Sequence, residues 1–114
     1  MAIYEVEALP EAPLAAAAQF HARHVPLIEL AIEAAGGCLT VAFPESDHTH
    51  RGWRLAAIQM LARALAPGRI NAVSGGSGRA ITAAANYFAC APGLTGQLIS
   101  LDDEGAAAVL PLPS

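Results

Sequence analysis

The chain has 114 residues, of which 54% are hydrophobic and only 14% are charged. This composition excludes a disordered protein, because disordered chains have too few apolar residues to form a core. Ten acidic and six scattered basic residues give a net charge of −4, which argues against nucleic-acid binding. The length predicts one domain, which we place at residues 1–105, followed by an apolar tail over 106–114.

The sequence also predicts a cellular compartment. The N-terminal residues have neither the basic segment nor the long apolar segment of a signal peptide. Glu29 and Glu33 interrupt the most apolar helical stretch, so no membrane span is expected. Cys38 and Cys90 follow no metal or redox spacing and lie in apolar runs, which predicts buried free thiols. Together these features predict a cytoplasmic protein.

Two elements are predicted in the first third of the chain. Apolar and acidic residues alternate over 2–9, which indicates a short strand. Apolar residues recur at helical spacing over 13–35, and two glycines follow as a stop signal. Pro26 lies inside this helix, where it either kinks one long helix or separates two short ones.

The middle of the chain predicts two more strands around a helix. Residues 38–43 form a continuous apolar run rich in strand formers, typical of a strand buried on both faces. A polar loop over 44–51 leads into a helix over 52–66, which Pro and Gly end. Residues 69–73 are predicted to form a second buried strand.

The last predicted elements are a helix over 79–90 and a strand over 96–101. The order is therefore β-α-β-α-β-α-β. Strands that alternate with helices favour one parallel sheet with helices on both faces. We predict an α/β three-layer sandwich with four parallel strands.

Several segments resemble the C-terminal half of the short-chain dehydrogenase/reductase family. Residues 71–75 read Asn-Ala-Val-Ser-Gly, close to a family signature that has proline in place of this serine. Residues 95–98, Thr-Gly-Gln-Leu, resemble the turn into the family's last strand. The segments PLIELAIEAAGGCLTVAF, LARALAPGRINAVSGG and AITAAANYFAC follow in the family's order. The resemblance implies a truncated Rossmann-like domain.

The departures from the family argue against its reaction. No glycine precedes Gly36, so the glycine-rich dinucleotide loop is missing and no cofactor is expected. The family's catalytic tyrosine and lysine fall on Arg51 and Leu55, and its serine falls near Phe43 or Pro44. The chain contains no lysine. The resemblance therefore implies the fold without the family's chemistry, and we do not expect an enzyme.

A glycine-rich loop is the candidate anion-binding site. It follows a predicted strand and opens a helix, so its N–H groups and the helix dipole would favour an anion. The alternative is a tight turn that only shortens a loop, because the lysine of a phosphate-binding loop is missing. The candidate residues are Ser74, Gly75, Gly76, Ser77, Gly78 and Arg79.

The histidines are candidate metal ligands. Asp47, His48 and His50 lie close together, and His21 and His24 are spaced to share one helix face. Zinc requires three or four convergent ligands, and the spacing of these two groups does not establish convergence. The alternative is a solvated loop whose polar residues cap the next helix. We predict no metal site.

The predicted helices 13–35 and 52–66 form the candidate interface. In the family that the chain resembles, the two corresponding helices pack against their copies in a second subunit, and alanine-rich faces permit close approach. The candidate contact residues are Trp53, Arg54, Ala57 and Leu61. A packing role inside the fold is the alternative for Trp53. A homodimer or larger assembly is expected, with a full-length reductase as a further possible partner.

Two functions follow from these observations. The first is a non-catalytic short-chain-dehydrogenase-like module that acts through self-assembly or a protein partner. The second is a small-molecule or anion-binding protein, conceivably an oxidoreductase-related enzyme, that uses the loops after the strands. The fold alone does not decide between them.

Overall fold

A computed structural model describes residues 2–102 as one four-stranded parallel sheet with helices on both faces. The strands lie in chain order, β1-β2-β3-β4, so each pairs with its predecessor. This confirms the predicted three-layer architecture. The elements are β1 (Ile3–Glu5), α1 (Pro13–Gln19), a π-helical turn (Phe20–His24), α2 (Val25–Ala34), β2 (Cys38–Phe43), a 3-10 turn (His48–His50), α3 (Arg51–Ala64), β3 (Arg69–Ser74), α4 (Gly78–Ala89) and β4 (Leu98–Ser100).

The larger core lies between the sheet and one layer made of the π-helical turn, α2 and α3. Alternate residues of each strand face it, because side chains along a strand point to opposite faces. Leu39, Val41 and Phe43 supply the β2 contribution, and all three are buried. They pack against apolar residues of the π-helical turn, α2, α3 and β3, namely Phe20, Ile28, Ile32, Ala57, Ile58, Leu61, Ile70 and Ala72.

Helix α4 covers the opposite face with a smaller core. Its small residues Ala80 and Ala84 bring the helix close to the sheet, and Phe88 is completely buried at its end. Ala42 and Val73 are the strand residues that meet it. Small side chains on both surfaces allow close approach, so a single aromatic ring fills much of the remaining space.

The first helical region is neither one long helix kinked at Pro26 nor two short helices separated by Pro26. Helical structure continues from Pro13–Gln19 into Val25–Ala34, and the change of geometry lies upstream of Pro26, over Phe20–His24. There the Val25 N–H donates to the Phe20 carbonyl, five residues back. Pro26 occupies the first turn of α2, where its missing N–H is tolerated. The π-helical turn is wider than an α-helical turn, so it changes the helix geometry locally without ending the helix.

The edge strands are shorter than their sequence patterns predict. Strand β1 covers Ile3–Glu5 instead of 2–9, and β4 covers Leu98–Ser100 instead of 96–101. Each is paired on one side only, so fewer residues find hydrogen-bond partners. The central strands and α4 begin and end within one residue of their predicted limits. The predicted tail over 106–114 lies outside the described residues.

The cysteine prediction was wrong in one respect. Both thiols are free, but Cys90 is exposed and Cys38 is half-buried. Cys90 follows the last residue of α4, where the chain turns into solvent. None of the helices in residues 2–102 is long and apolar enough to cross a bilayer.

Ser77 is the N-cap of α4, and its replacement by alanine tests that role. Its hydroxyl oxygen accepts a hydrogen bond from the Ala80 N–H at 3.2 Å. We expect Ser77→Ala to lower the free energy of unfolding by about 1 kcal/mol, because the N–H loses its acceptor. Ser77→Asp keeps an acceptor and should unfold in urea like the wild type. Equal losses in both variants would contradict the capping role.

Candidate functional site

The carboxyl ends of the strands meet at one edge of the sheet, where open α/β sheets bind ligands. Phe43 at the end of β2 is in register with Ser74 at the end of β3. Ser74 is in turn in register with Ser100 at the end of β4. Helix α3 begins beside these strand ends, so residues of its first turn line the same edge.

Arg54 brings a buried cation to this edge. Its side chain is 2% exposed, and its Nη1 donates to the Pro44 carbonyl and to the Ser74 hydroxyl, both at 2.8 Å. The guanidinium carbon lies 4.7 Å from the centre of the Phe43 ring and 5.8 Å from that of Trp53. Aromatic faces attract such a cation electrostatically. These contacts hold the side chain in one position.

Within residues 2–102, the hydrogen bonds of Arg54 go to two uncharged acceptors, the Pro44 carbonyl and the Ser74 hydroxyl. Its Nε is sealed from solvent and has no hydrogen-bond partner within residues 2–102. Burial lowers the pKa of Arg54, since desolvation disfavours the charged form, but an arginine stays protonated in proteins. The edge therefore contains a buried positive charge whose described hydrogen-bond partners are both uncharged.

The candidate interface residues are placed inside the fold, which corrects the prediction. Ala57 and Leu61 are 2% and 6% exposed and pack against the sheet, as Arg54 packs against Phe43. Trp53 is half-buried between aromatic rings. The small and apolar side chains of this stripe turn toward the sheet, so they are unavailable to a second chain. An interface on α3 has to use its outer residues.

His50 links the start of α3 to the segment after β1, which sequence reasoning missed. The Trp53 Nε1–H donates to His50 Nδ1 at 3.0 Å. Because Nδ1 accepts, the proton lies on Nε2, which donates to the Glu11 carbonyl at 2.9 Å. Both ring nitrogens are thus engaged in a buried side chain. His50 is a structural connector in this state.

Asp47 caps the short turn that precedes α3. It accepts hydrogen bonds from the Thr49 N–H, at 3.0 Å, and from the Thr49 hydroxyl. These two hydrogen bonds lower the pKa of Asp47, so its carboxylate stays ionised near neutral pH. The loop that contains the candidate metal ligands Asp47, His48 and His50 therefore leads directly into α3.

His21 and His24 lie in the π-helical turn and not in the loop that precedes α3. His21 Nδ1 is 2.8 Å from the Ala17 carbonyl oxygen on its own helix, and His24 Nδ1 is 2.8 Å from the Tyr4 hydroxyl. Within residues 2–102, no three His, Cys, Asp or Glu side chains gather as metal ligands.

The contacts of the glycine-rich loop account for its composition. Gly75 and Gly76 have φ angles of +76° and +87°, which side chains rarely adopt. A Cβ atom on Gly76 would lie 2.7 Å from the Leu101 Cβ. A cavity of about 260 Å³ beside these glycines is also lined by Glu5 and Glu45, which repel anions.

The remaining loop residues lie at the start of α4. Gly78 is the first residue of α4, and the Arg79 side chain is exposed. Anion binding by residues 74–79 stays a prediction.

The positions of the family's catalytic pair hold no proton-transfer groups. Arg51 is exposed at the start of α3, and Leu55 lies one turn further on, half-buried. Tyr4 lies on β1, and Tyr87 lies on the outer side of α4. The edge offers guanidinium and hydroxyl groups, which suit binding.

Two adjoining cavities open on either side of Arg54. The larger, about 430 Å³, is lined by three carboxylate residues, Glu11, Glu45 and Asp47. The smaller, about 150 Å³, is lined by Arg51, Arg54, Asp47, His48 and Leu98 together with the hydroxyl groups of Ser46, Ser74 and Ser100. The two cavities therefore have opposite charge.

The chain forms an α/β domain of the Rossmann-like class. Its sheet is parallel, its strands follow one another in chain order, and the carboxyl ends of the strands meet at the edge where such sheets bind ligands. The model of the short chain dehydrogenase-like protein family matches residues 4–101, and the chain belongs to this family. No curated protein and no solved structure gives a match.

Proposed function

We propose that the chain is a non-catalytic short-chain-dehydrogenase-like module that self-associates as a homodimer through α1, α2 and α3. The observation that carries this proposal is a set of large apolar side chains left in water on these helices. Leu14 is 85% exposed, Leu27 51%, Leu30 65% and Met60 56%. Burying such side chains is the main favourable term in protein association.

The geometry of the three helices supports one common surface. Helices α2 and α3 pack on the same face of the sheet and share its core, so their outer sides point away from the sheet together, and α1 packs against α3. Leu27 and Leu30 are three residues apart on α2, which places them on one side of that helix. An open groove of about 550 Å³ runs between the C-terminal ends of α2 and α3; its lining combines Leu30, Ile32 and Leu65 with the carboxylate residues Glu29 and Glu33. A second helix surface fits such a groove.

The non-catalytic part of the proposal rests on α3. Arg51 and Leu55 occupy the places of the family's tyrosine and lysine, so the family's proton transfer has no donor there. A full-length reductase that presents equivalent helices is the alternative partner for the same surface. A cytoplasmic location also belongs to this proposal, and the two free thiols support it.

Polar substitutions on α2 test the interface. We expect the double variant Leu27→Gln/Leu30→Gln to weaken the dimer at least ~100-fold, because a symmetric interface loses four leucine side chains. Analytical ultracentrifugation over a range of concentrations measures the change. Both residues are exposed, so the melting temperature measured on the monomer should be almost unchanged.

The matched control is Tyr87→Gln. Tyr87 is 40% exposed on α4, on the opposite face of the sheet, and its loss should leave the dimer intact. A wild-type chain that stays monomeric at high micromolar concentration would overturn self-association. Dissociation by Tyr87→Gln alone would move the interface to α4.

A further inference from the structure

We propose that the 150 Å³ cavity between the start of α3 and the ends of β3 and β4 binds a small oxyanion, such as the phosphate or carboxylate group of a metabolite. The site shares Ser74 with the 74–79 loop but uses Arg54 and Arg51 instead of Arg79. It is also independent of the proposed dimer surface on the outer sides of α1, α2 and α3.

The first argument is the state of Arg54. The guanidinium is 2% exposed, and its hydrogen bonds within residues 2–102 go to uncharged acceptors, although desolvation of a charge is costly. Within these residues only Nη1 donates to protein acceptors, and Nε is sealed from solvent, so Nη2 is the donor that remains for a ligand. Guanidinium groups bind carboxylates and phosphates through strong charge-assisted hydrogen bonds. An oxyanion would place a negative charge next to this buried cation.

The second argument is the lining of the cavity. Two arginines face one carboxylate, that of Asp47, so the formal charge of the lining is +1 with histidine neutral. The Asp47 carboxylate is already engaged by Thr49, which limits its competition for the arginines. The Ser74 hydroxyl accepts from Arg54, so its own hydrogen is free to point at a ligand. The lining thus offers donors of the kind that oxyanions require.

The third argument is the position of Arg54 between two unlike cavities. The larger cavity carries three carboxylate residues and repels an anion. The smaller one is a few times the size of a phosphate group and lies at the sheet edge where the fold places ligands. The guanidinium packs beside the Phe43 and Trp53 rings, which also contact each other, so little conformational freedom is lost on binding.

The sequence makes a direct experiment practicable. The chain has six arginines and no lysine, so a nitrogen–proton NMR spectrum contains at most six Nε–H signals to assign. We expect inorganic phosphate to shift the Arg54 and Arg51 signals along one saturable curve. Sodium chloride at the same ionic strength should not reproduce the shifts. A parallel titration with acetate distinguishes a phosphate group from a carboxylate group as the preferred ligand.

Four variants locate the site. Arg51→Gln, at an exposed position, should weaken phosphate binding about tenfold, because one charge-assisted contact is lost. Arg54→Lys keeps the charge but loses the Nη2 donor and should reduce binding further. Arg63→Gln, at the far end of α3, and Arg79→Gln, in the glycine-rich loop, should bind like the wild type.

Several results would overturn the proposal. The absence of saturable shifts with either anion would show that the cavity is not an oxyanion site. Loss of binding in Arg79→Gln alone would assign the anion to residues 74–79. Equal weakening in the three glutamine variants, with Arg54→Lys unchanged, would indicate a general charge effect instead of a site. Because Arg51→Gln leaves the buried cluster intact, failure of Arg54→Lys to fold would not prevent the test.

Discussion

Replacing Phe88 with alanine is expected to lower the free energy of unfolding by about 3–5 kcal/mol. The ring is completely buried where α4 meets the second face of the sheet. The other helix residues of that core include Ala80 and Ala84, which are too small to close the space. A domain of this size has a total stability of about 5–15 kcal/mol, so the loss would bring the variant close to unfolding at 37 °C.

The neighbouring aromatic residue provides the control for this prediction. Tyr87 precedes Phe88 on α4 but is 40% exposed, so Tyr87→Ala should cost less than about 1 kcal/mol. Urea unfolding followed by Trp53 fluorescence measures both variants. Similar losses for the two substitutions would show that α4 does not depend on the buried ring.

The replacement of Asn71 with alanine is expected to cause the second largest loss of stability. Asn71 is completely buried, its Nδ2 donates to the Leu94 carbonyl, and its Oδ1 accepts from the Gln97 N–H, both at 3.1 Å. Asn71→Ala removes the acceptor of the Gln97 N–H and leaves the Leu94 carbonyl with only a 3.4 Å hydrogen bond from Arg69 Nη1 among the described residues. An unsatisfied buried group costs about 1–3 kcal/mol, so we expect a loss of about 1–3 kcal/mol in thermal unfolding.

Hydrogen exchange identifies the origin of that loss. The amide of Gln97 and those of β4 should exchange faster in Asn71→Ala, while the amides of β2 keep most of their relative protection. Asn86, exposed on α4, is the matched control, and Asn86→Ala should change stability by less than about 0.5 kcal/mol. An unchanged exchange pattern around residue 97 would contradict the linking role of Asn71.

The central strands were predictable because they are buried on both faces. Residues 38–43 form an apolar run rich in strand formers, residues 69–73 include Ile70, Ala72 and Val73, and the structure places β2 and β3 there. The edge strands were less predictable, since their length depends on pairing with a single neighbour and not on local pattern. The π-helical turn at Phe20–His24 was also hidden, because its residues fit an ordinary helical pattern.

The burial of Arg54 was not predicted, although its spacing from the apolar residues of α3 indicates that it lies on their side of the helix. Arg54 precedes Ala57, Ile58 and Leu61 by three, four and seven residues, which places it on the same stripe of α3. A charged residue in a core stripe is usually assigned to the surface, because its burial is costly. Two acceptors at the strand ends and two aromatic faces make this burial tolerable, and only one of the four, Trp53, is adjacent in sequence.

The agreement between strand order and chain order has a consequence for biosynthesis. A ribosome releases about 5–20 residues per second, so each strand emerges well after the strand it pairs with. The growing sheet always presents a finished edge to the next segment, and no strand has to be inserted between two others. Asn71 is then already in place on β3 when residues 94–97 leave the exit tunnel, and the last short strand is guided by groups that were made before it.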